Sequence, residues 1–263
     1  MLDNITLGQY LPGNSFLHRM DPRAKILLTV MMIVAVFTAN TWIGYAGLFL
    51  FIGGTALLSR INIKFIIKGV KPIFYIILLT FFINLFFNSG ETVLAEWGVV
   101  RITEEGLVNA TFMALRLLLL VFCTQLLTLT TSPIALTDGL ERLLKPLSKI
   151  GFPSHELAMM MSIALRFIPT LMEETDKIMK AQMARGADFE SGNLINRAKA
   201  MLPLLVPLFV SAFRRADELA MAMEARCYRG GDNRTRMKVL KFTKVDAMAA
   251  AAVLAVTAFA IIF

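Results

Sequence analysis

Apolar residues fall along this chain in blocks too long and too complete to be the faces of a soluble bundle. Five blocks approach the roughly 17–25 residues that carry a helix across hydrocarbon: residues 24–40, 42–58, 70–87, 107–130 and 246–263. Asn40 and Thr41 separate the first two so briefly that they predict a tight helical hairpin. Between 132 and 245 the pattern changes to shorter helical runs punctuated by proline and glycine. Ser132-Pro133 reads as an N-cap and first turn, with Lys145-Pro146 as its limit. Gly151 to Ser154 opens a helix expected to stop at Pro169; a second covers 170–186 and closes on Gly186, and the last runs from near Asn196 to near Tyr228. The pattern predicts an all-α polytopic membrane protein with about five transmembrane helices. Its parts are a cap (1–23), four spans (24–131), a helical region (132–245) and a fifth span (246–263).

Composition supports this reading, with 57% hydrophobic residues and a mean hydropathy of +0.66, against roughly 45–50% apolar in an ordinary soluble domain. Charge then orients the spans, because Lys and Arg gather in short cytoplasmic flanks. Arg19, Arg23 and Lys25 precede the first span, and Arg60, Lys64, Lys68 and Lys71 follow the second. The third-to-fourth connection instead sets Arg101 against Glu91, Glu96, Glu104 and Glu105. The expected topology puts the N-terminus and 132–245 in the cytoplasm of a prokaryotic cell and the C-terminus outside. Residues 132–245 hold eighteen Lys and Arg against twelve Asp and Glu. This interleaved balance beside a membrane suits headgroup attraction and internal pairing, and no nucleic-acid partner is expected. The polar opening, residues 1–25, lacks the apolar core of a cleavable signal and is expected to remain as an ordered cap.

Reactive chemistry is sparse. His18 and His155 have no neighbours at metal-ligand spacing, and Cys123 and Cys227 are too few for a disulfide framework or a zinc site. No phosphate-binding glycine loop is present, so neither a catalytic nor a metal site is expected, and any use of ATP falls to a partner. Arg116 is the one charge deep in a predicted span; it is either functional or bonded to helix carbonyls within the bundle. Asn84 and Gln125 read as interhelical hydrogen-bonding groups.

The informative feature is a repeat. The stretch 179-MKAQMARGADF-189 and, forty-one residues on, 220-AMAMEARCYRG-230 both carry Ala-x-x-Ala-Arg. Leu171, Met172, Thr175, Ile178, Met179 and Met183 make one helical stripe, with Arg185 at its edge. Phe209, Ala212, Ala216, Leu219, Ala220, Met223 and Cys227 make the other, with Arg226 at its edge. One arginine at a helix C-terminus answers the macrodipole. Two on matching small-residue tips, in a chain lacking its own nucleotide loop, point to two similar docking partners. The segment 202-LPLLVPLFVSAF-213 is apolar but too short to span, and is expected at the membrane interface or against another transmembrane subunit. Ten of sixteen methionines lie between 132 and 245, which suits either interior packing or an adaptable binding surface.

The chain resembles the transmembrane T component of energy-coupling-factor importers through 8-GQYLPGNSFLHRMDPRAK-25, 130-TTSPIALTDGLERLLKPL-147, 155-HELAMMMSIALRFIPTLMEE-174 and the two Ala-Arg motifs. The resemblance implies a non-catalytic scaffold in vitamin or metal uptake. Its partners would be two ATP-binding-cassette ATPases, which supply the ATP and Mg, and a membrane-embedded substrate-binding S component. The ATPase-docking residues carried over are Ala184, Arg185 and Gly186, then Ala225, Arg226 and Cys227, with Cys227 standing where glycine is common. The expected S-component or membrane contacts are Leu202, Leu205, Leu208 and Phe209, with Met159 and Met160. An intramembrane enzyme and the permease of a conventional ATP-binding-cassette importer remain as alternatives.

Overall fold

The computed structural model describes residues 10–87, 92–97, 100–187, 189, 193–230 and 240–262. Of the expected N-terminal cap, residues 1–9 lie outside the described residues. The chain divides into two compact units, one comprising Gly8–Arg142 with Val239–Phe263 and the other built on Leu143–Lys238.

The larger unit holds the apolar helices. After the short α1 (Phe16–Arg19) come α2 (Pro22–Thr38), α3 (Trp42–Leu58), α4 (Ile63–Phe87), α5 (Glu104–Thr130), most of α6 (Pro133–Leu144) and α9 (Lys244–Ile262). Helices α4, α5 and α9 are long and apolar enough to cross a membrane; α3 is a shorter apolar helix, and α2, like it, has 17 residues. The expected hairpin is present, since only Ala39, Asn40 and Thr41 separate α2 from α3. Side-chain caps set the starts. Asp21 accepts from the Arg23 backbone N–H ahead of Pro22, Thr41 accepts from Gly44 and Thr103 from Gly106. The connection before α5 carries the only strands among the described residues, an antiparallel pair β1 (Val93–Trp97) and β2 (Val100–Thr103).

The core of this unit lies where α2, α3, α5 and α9 meet, on Met32, Val36, Leu48, Ile52, Leu119 and Leu129. Small residues let the backbones close up, as expected where lipid tails compete with any side chain for apolar contact. A Cβ at Gly47 would stand 2.8 Å from the Phe259 ring, and one at Gly139 would meet Pro22 and Ile26 at 3.1–3.3 Å. Large apolar side chains such as Leu27, Val34, Phe37, Leu50, Tyr75 and Phe87 point outward, inverting a soluble protein's pattern to match a hydrocarbon solvent.

Helix α2 runs antiparallel to α5, pinned at both ends. Lys25 Nζ donates to the Thr130 carbonyl at 2.9 Å and to Thr131 Oγ1 at 3.0 Å. Fourteen residues back along α5, Arg116 Nη2 donates to the Phe37 and Ala39 carbonyls at the far end of α2, each at 3.4 Å, with its guanidinium over the Phe37 ring. Arg116 therefore bonds to helix-end carbonyls within the bundle, the structural alternative of the sequence reading. Gln125 sits against Gly69 of α4, where a Cβ would collide with its amide. Asn84 bonds within its own helix, to the Thr80 carbonyl.

The smaller unit contains a 3-10 turn (Lys145–Ile150), α7 (Ser154–Ala184) and α8 (Leu194–Ala225). Here one expectation is corrected. Pro169 does not divide two helices; α7 is continuous through it. Proline removes one backbone donor and crowds the preceding turn, but α7 is held on both sides of it, through His155 to Tyr228 just beyond α8 and through Glu174 to Arg215 of α8. Pro203 and Pro207 are likewise carried inside α8.

Candidate docking tips and their surroundings

Both Ala-x-x-Ala-Arg motifs terminate a helix in the same way. Helix α7 ends at Ala184 with Arg185 as C-cap at φ −89°, ψ 6°, and α8 ends at Ala225 with Arg226 at φ −92°, ψ 12°. The next residue turns left-handed in each, Gly186 at φ 88° and Cys227 at φ 57°. The backbone closure also matches. Gly186 N donates to Met183 O and Ala187 N to Gln182 O, while Cys227 N donates to Glu224 O and Tyr228 N to Met223 O. These are paired Schellman closures. Cys227 thus adopts the turn that glycine usually provides, at a cost of about 1–2 kcal/mol for a residue with a Cβ.

The resulting tips are open. Ala184, Arg185, Gly186, Ala225, Arg226 and Cys227 are all exposed. Among the described residues neither guanidinium has a hydrogen-bond or ion-pair partner, so five donors on each are free for an acceptor on another chain. The alanine at each C-terminus leaves the approach to the arginine low.

The two helices are joined by a device that the sequence reading did not identify. Arg215 of α8 pairs with Glu174 of α7, and both side chains are partly buried. These residues are forty-one apart, the spacing that also relates Arg185 to Arg226. The ion pair therefore joins equivalent positions of the repeat and marks an approximate two-fold relation between the helices. His155 at the start of α7 meets the Tyr228 hydroxyl just beyond α8, at 3.2 Å, so the helices run antiparallel. Each arginine tip lies eleven residues beyond the ion pair, an arm of about 16 Å at 1.5 Å per residue. The common offset was the available signal, but the charges there are opposite and so do not read as a repeat.

Helix α8 bears a second surface. Met201, Leu202, Leu205, Val206, Phe209, Val210 and Phe213 are exposed, a broad apolar face on a helix whose Leu204, Leu208, Arg215 and Leu219 are half-buried. Of the residues expected at a membrane or subunit contact, Leu202, Leu205 and Phe209 lie on this face and Leu208 lies off it. On α7, Met160 is exposed and Met159 half-buried.

The two histidines have local roles. His18 Nδ1 lies 2.6 Å from Ser15 Oγ and its Nε2 lies 3.0 Å from the Leu11 carbonyl, bracing the segment before α1.

In the larger unit, a polar cluster also escaped the sequence reading. Asp246, near the start of α9, accepts from Asp21 N at 2.9 Å, from Thr243 N at 2.7 Å and from Thr243 Oγ1 at 2.8 Å. Asp21 accepts from Arg23 Nε and Nη2, and Arg23 and Arg142 both donate to the Leu240 carbonyl. Burial pushes the Asp21 carboxyl up, but the side-chain and backbone hydrogen bonds from Arg23, with the charges of Arg23 and Arg142, hold it below its ordinary value. The cluster fixes α9 to the start of α2 across more than two hundred residues of sequence.

The family model described as cobalt transport protein (CbiQ) matches residues 13–237. The chain is 62% identical over 242 residues to the energy-coupling factor transporter transmembrane protein EcfT of Thermosediminibacter oceani, covering 92% of this chain and 91% of that one. It is 60% identical to the EcfT protein of Clostridium kluyveri, over 95% of this chain and 93% of that one. With the EcfT protein of Bacillus subtilis the identity is 52%, over 94% and 93%.

Proposed function

Since this chain belongs to the EcfT family of energy-coupling factor transporter transmembrane proteins, we propose that its α7–α8 pair is the joint through which two ATPases drive an importer. In this reading each arginine tip seats in one ATP-binding-cassette subunit, and those subunits hold and hydrolyse the ATP and Mg. The chain itself is a scaffold and catalyses nothing. The exposed apolar face of α8 meets a membrane-embedded S component that carries a vitamin or metal substrate. The N-terminus and residues 132–245 face the cytoplasm and the C-terminus faces outside, on the basic asymmetry of the flanks.

The observation that carries this reading is the matched pair of helix ends. Two exposed arginines with free donors, on identical closures and equally distant from one ion pair, suit two similar partners better than one. Merely capping a helix would not call for the same turn twice, least of all with a cysteine held left-handed in the second.

The test is to substitute Arg185 and Arg226 by Ala and by Lys, singly and together, and to measure ATPase co-purification and substrate uptake at equal scaffold abundance. Truncating a guanidinium that serves buried acceptors should cost roughly 2–5 kcal/mol at its interface. Lys should replace Arg poorly, because it keeps the charge and loses the planar fork. The double Ala variant should lose far more than either single one, since two tethered contacts hold one ATPase pair. Assembly and uptake at the wild-type level in the double Ala variant would refute the proposal.

A further inference from the structure

The two tips are alike in shape and opposite in charge. A shift of forty-one residues lays Ala181, Ala184 and Arg185 on Ala222, Ala225 and Arg226. Positions i, i+4 and i+7 of a helix form one stripe, so each pair of alanines continues back to a third residue, Lys177 on α7 and Glu218 on α8. The edge of the stripe away from the arginine repeats the inversion. It carries Lys180 and Met183 on α7, and Met221 and Glu224 on α8. From 177 to 185 the first tip holds three cations and no anion, whereas from 218 to 226 the second holds one cation and two anions.

Lys177, Lys180, Glu218 and Glu224 are all exposed, as are the four alanines between them and the arginines. None of the four charges has an ion-pair partner among the described residues. The opposite charge one turn before Lys177 is Glu174 and the one before Glu218 is Arg215, and these two are committed to each other. Helix stability does not account for the difference either. The last turn of a helix favours cations, yet α8 places Glu224 there. Lys177 and Glu218 stand about 12 Å behind the tip arginines, on the same small-residue stripe that gives a partner its approach. Opposite charges at equivalent points of two matching surfaces separate partners, because a like-charged rim is rejected and a complementary one is steered in.

We infer that Lys177 and Glu218 sort the two docking partners. The α7 tip takes an ATP-binding-cassette subunit whose groove has an acidic rim, and the α8 tip takes one whose groove has a basic rim. Lys180 and Glu224 reinforce the choice, so the two seats are not interchangeable. The sorting rests on the docking reading above and adds to it the chemistry of each seat.

The test uses the full chain assembled with its native membrane partners and a photo-cross-linking maleimide at one tip at a time, on Cys227 or, in Cys227→Ser, on Gly186→Cys. With the native charges each tip should capture one ATPase subunit about tenfold over the other, and the two tips should capture different subunits. Exchanging the charges, by Lys177→Glu and Lys180→Glu together with Glu218→Lys and Glu224→Lys, should abolish or invert that preference while total ATPase co-purification stays within about twofold, since both arginines remain. Should this variant fail to assemble, the paired exchange Lys177→Glu with Glu218→Lys decides, with a fall in preference of about fivefold. The same subunit captured from both tips, or a preference that the exchanged charges leave unmoved, would overturn the sorting and leave the docking intact. Capture of no ATPase subunit from either tip would overturn the docking reading and the sorting with it.

Discussion

Breaking the Glu174–Arg215 pair should loosen the docking tips without unfolding the chain. The side chains retain 24% and 32% exposure, so solvent screens the pair and its loss costs only about 0.5–1 kcal/mol. The geometric effect is larger than this energy suggests. Each tip stands on an arm of about 16 Å, so a rotation of roughly 10° at the crossing swings an arginine by roughly 3 Å. That displacement equals a whole hydrogen-bond length. Glu174→Gln and Arg215→Gln should each therefore reduce ATPase retention, less than loss of a tip arginine does. The charge-reversed double variant, Glu174→Arg with Arg215→Glu, should recover most of it. Spin labels on Cys227 and on a cysteine at Gly186 would report the geometry directly. The inter-label distances should broaden in the single variants and narrow again in the reversed pair. If the singles leave the distribution unchanged, or the reversed pair is no better than the singles, the ion pair is not what sets the tips.

Two further outcomes follow from the same structure. Leu205→Asp or Phe209→Asp should reduce retention of the S component while leaving the ATPases bound, because a carboxylate on the exposed apolar face of α8 would lose its water on contact; loss of the ATPases alone would assign the face to another partner. The Asp21 carboxyl is held below its ordinary value, so its contribution to stability is fully present above the unfolded carboxylate range near pH 4 and is lost as pH falls further, through its depressed value. Thermal unfolding of the detergent-solubilised chain should thus weaken on acidification below about pH 4 less steeply in Asp21→Asn than in wild type, from a lower stability at pH 7; identical profiles would remove Asp21 from the polar cluster that fixes α9 to α2.

What could be read from the sequence was what depends on neighbours in the chain. Apolar blocks marked the long helices because each must satisfy its backbone internally, and Asn40 with Thr41 marked the hairpin because Thr41 caps α3. The Ala-x-x-Ala-Arg tips were visible as a local repeat. The missed features depend on contacts between distant segments. Asp21 and Asp246 meet across 225 residues, and no spacing rule joins them. Lys25 read as a flanking charge that orients a span, although the fold buries it against the end of α5. Pro169 read as a stop because its local cost is real, and packing along α8 overrode it. Cys227 stands where glycine is common, and its left-handed turn is held by the backbone bonds that close the helix, which residue type alone does not reveal.

The central claim is that the two tips touch ATPases, and the chain supplies its own probe at one of them. Cys227 is exposed beside Arg226, whereas Cys123 is buried in the core. A maleimide carrying a short photo-cross-linker, attached to Cys227 in the full chain and reconstituted with its native membrane partners, should join it on illumination to an ATP-binding-cassette subunit. Moving the thiol to the other tip, with Cys227→Ser and Gly186→Cys, should join it to the second such subunit. Cross-links that reach only lipid or another membrane-embedded chain from both positions would contradict the docking account.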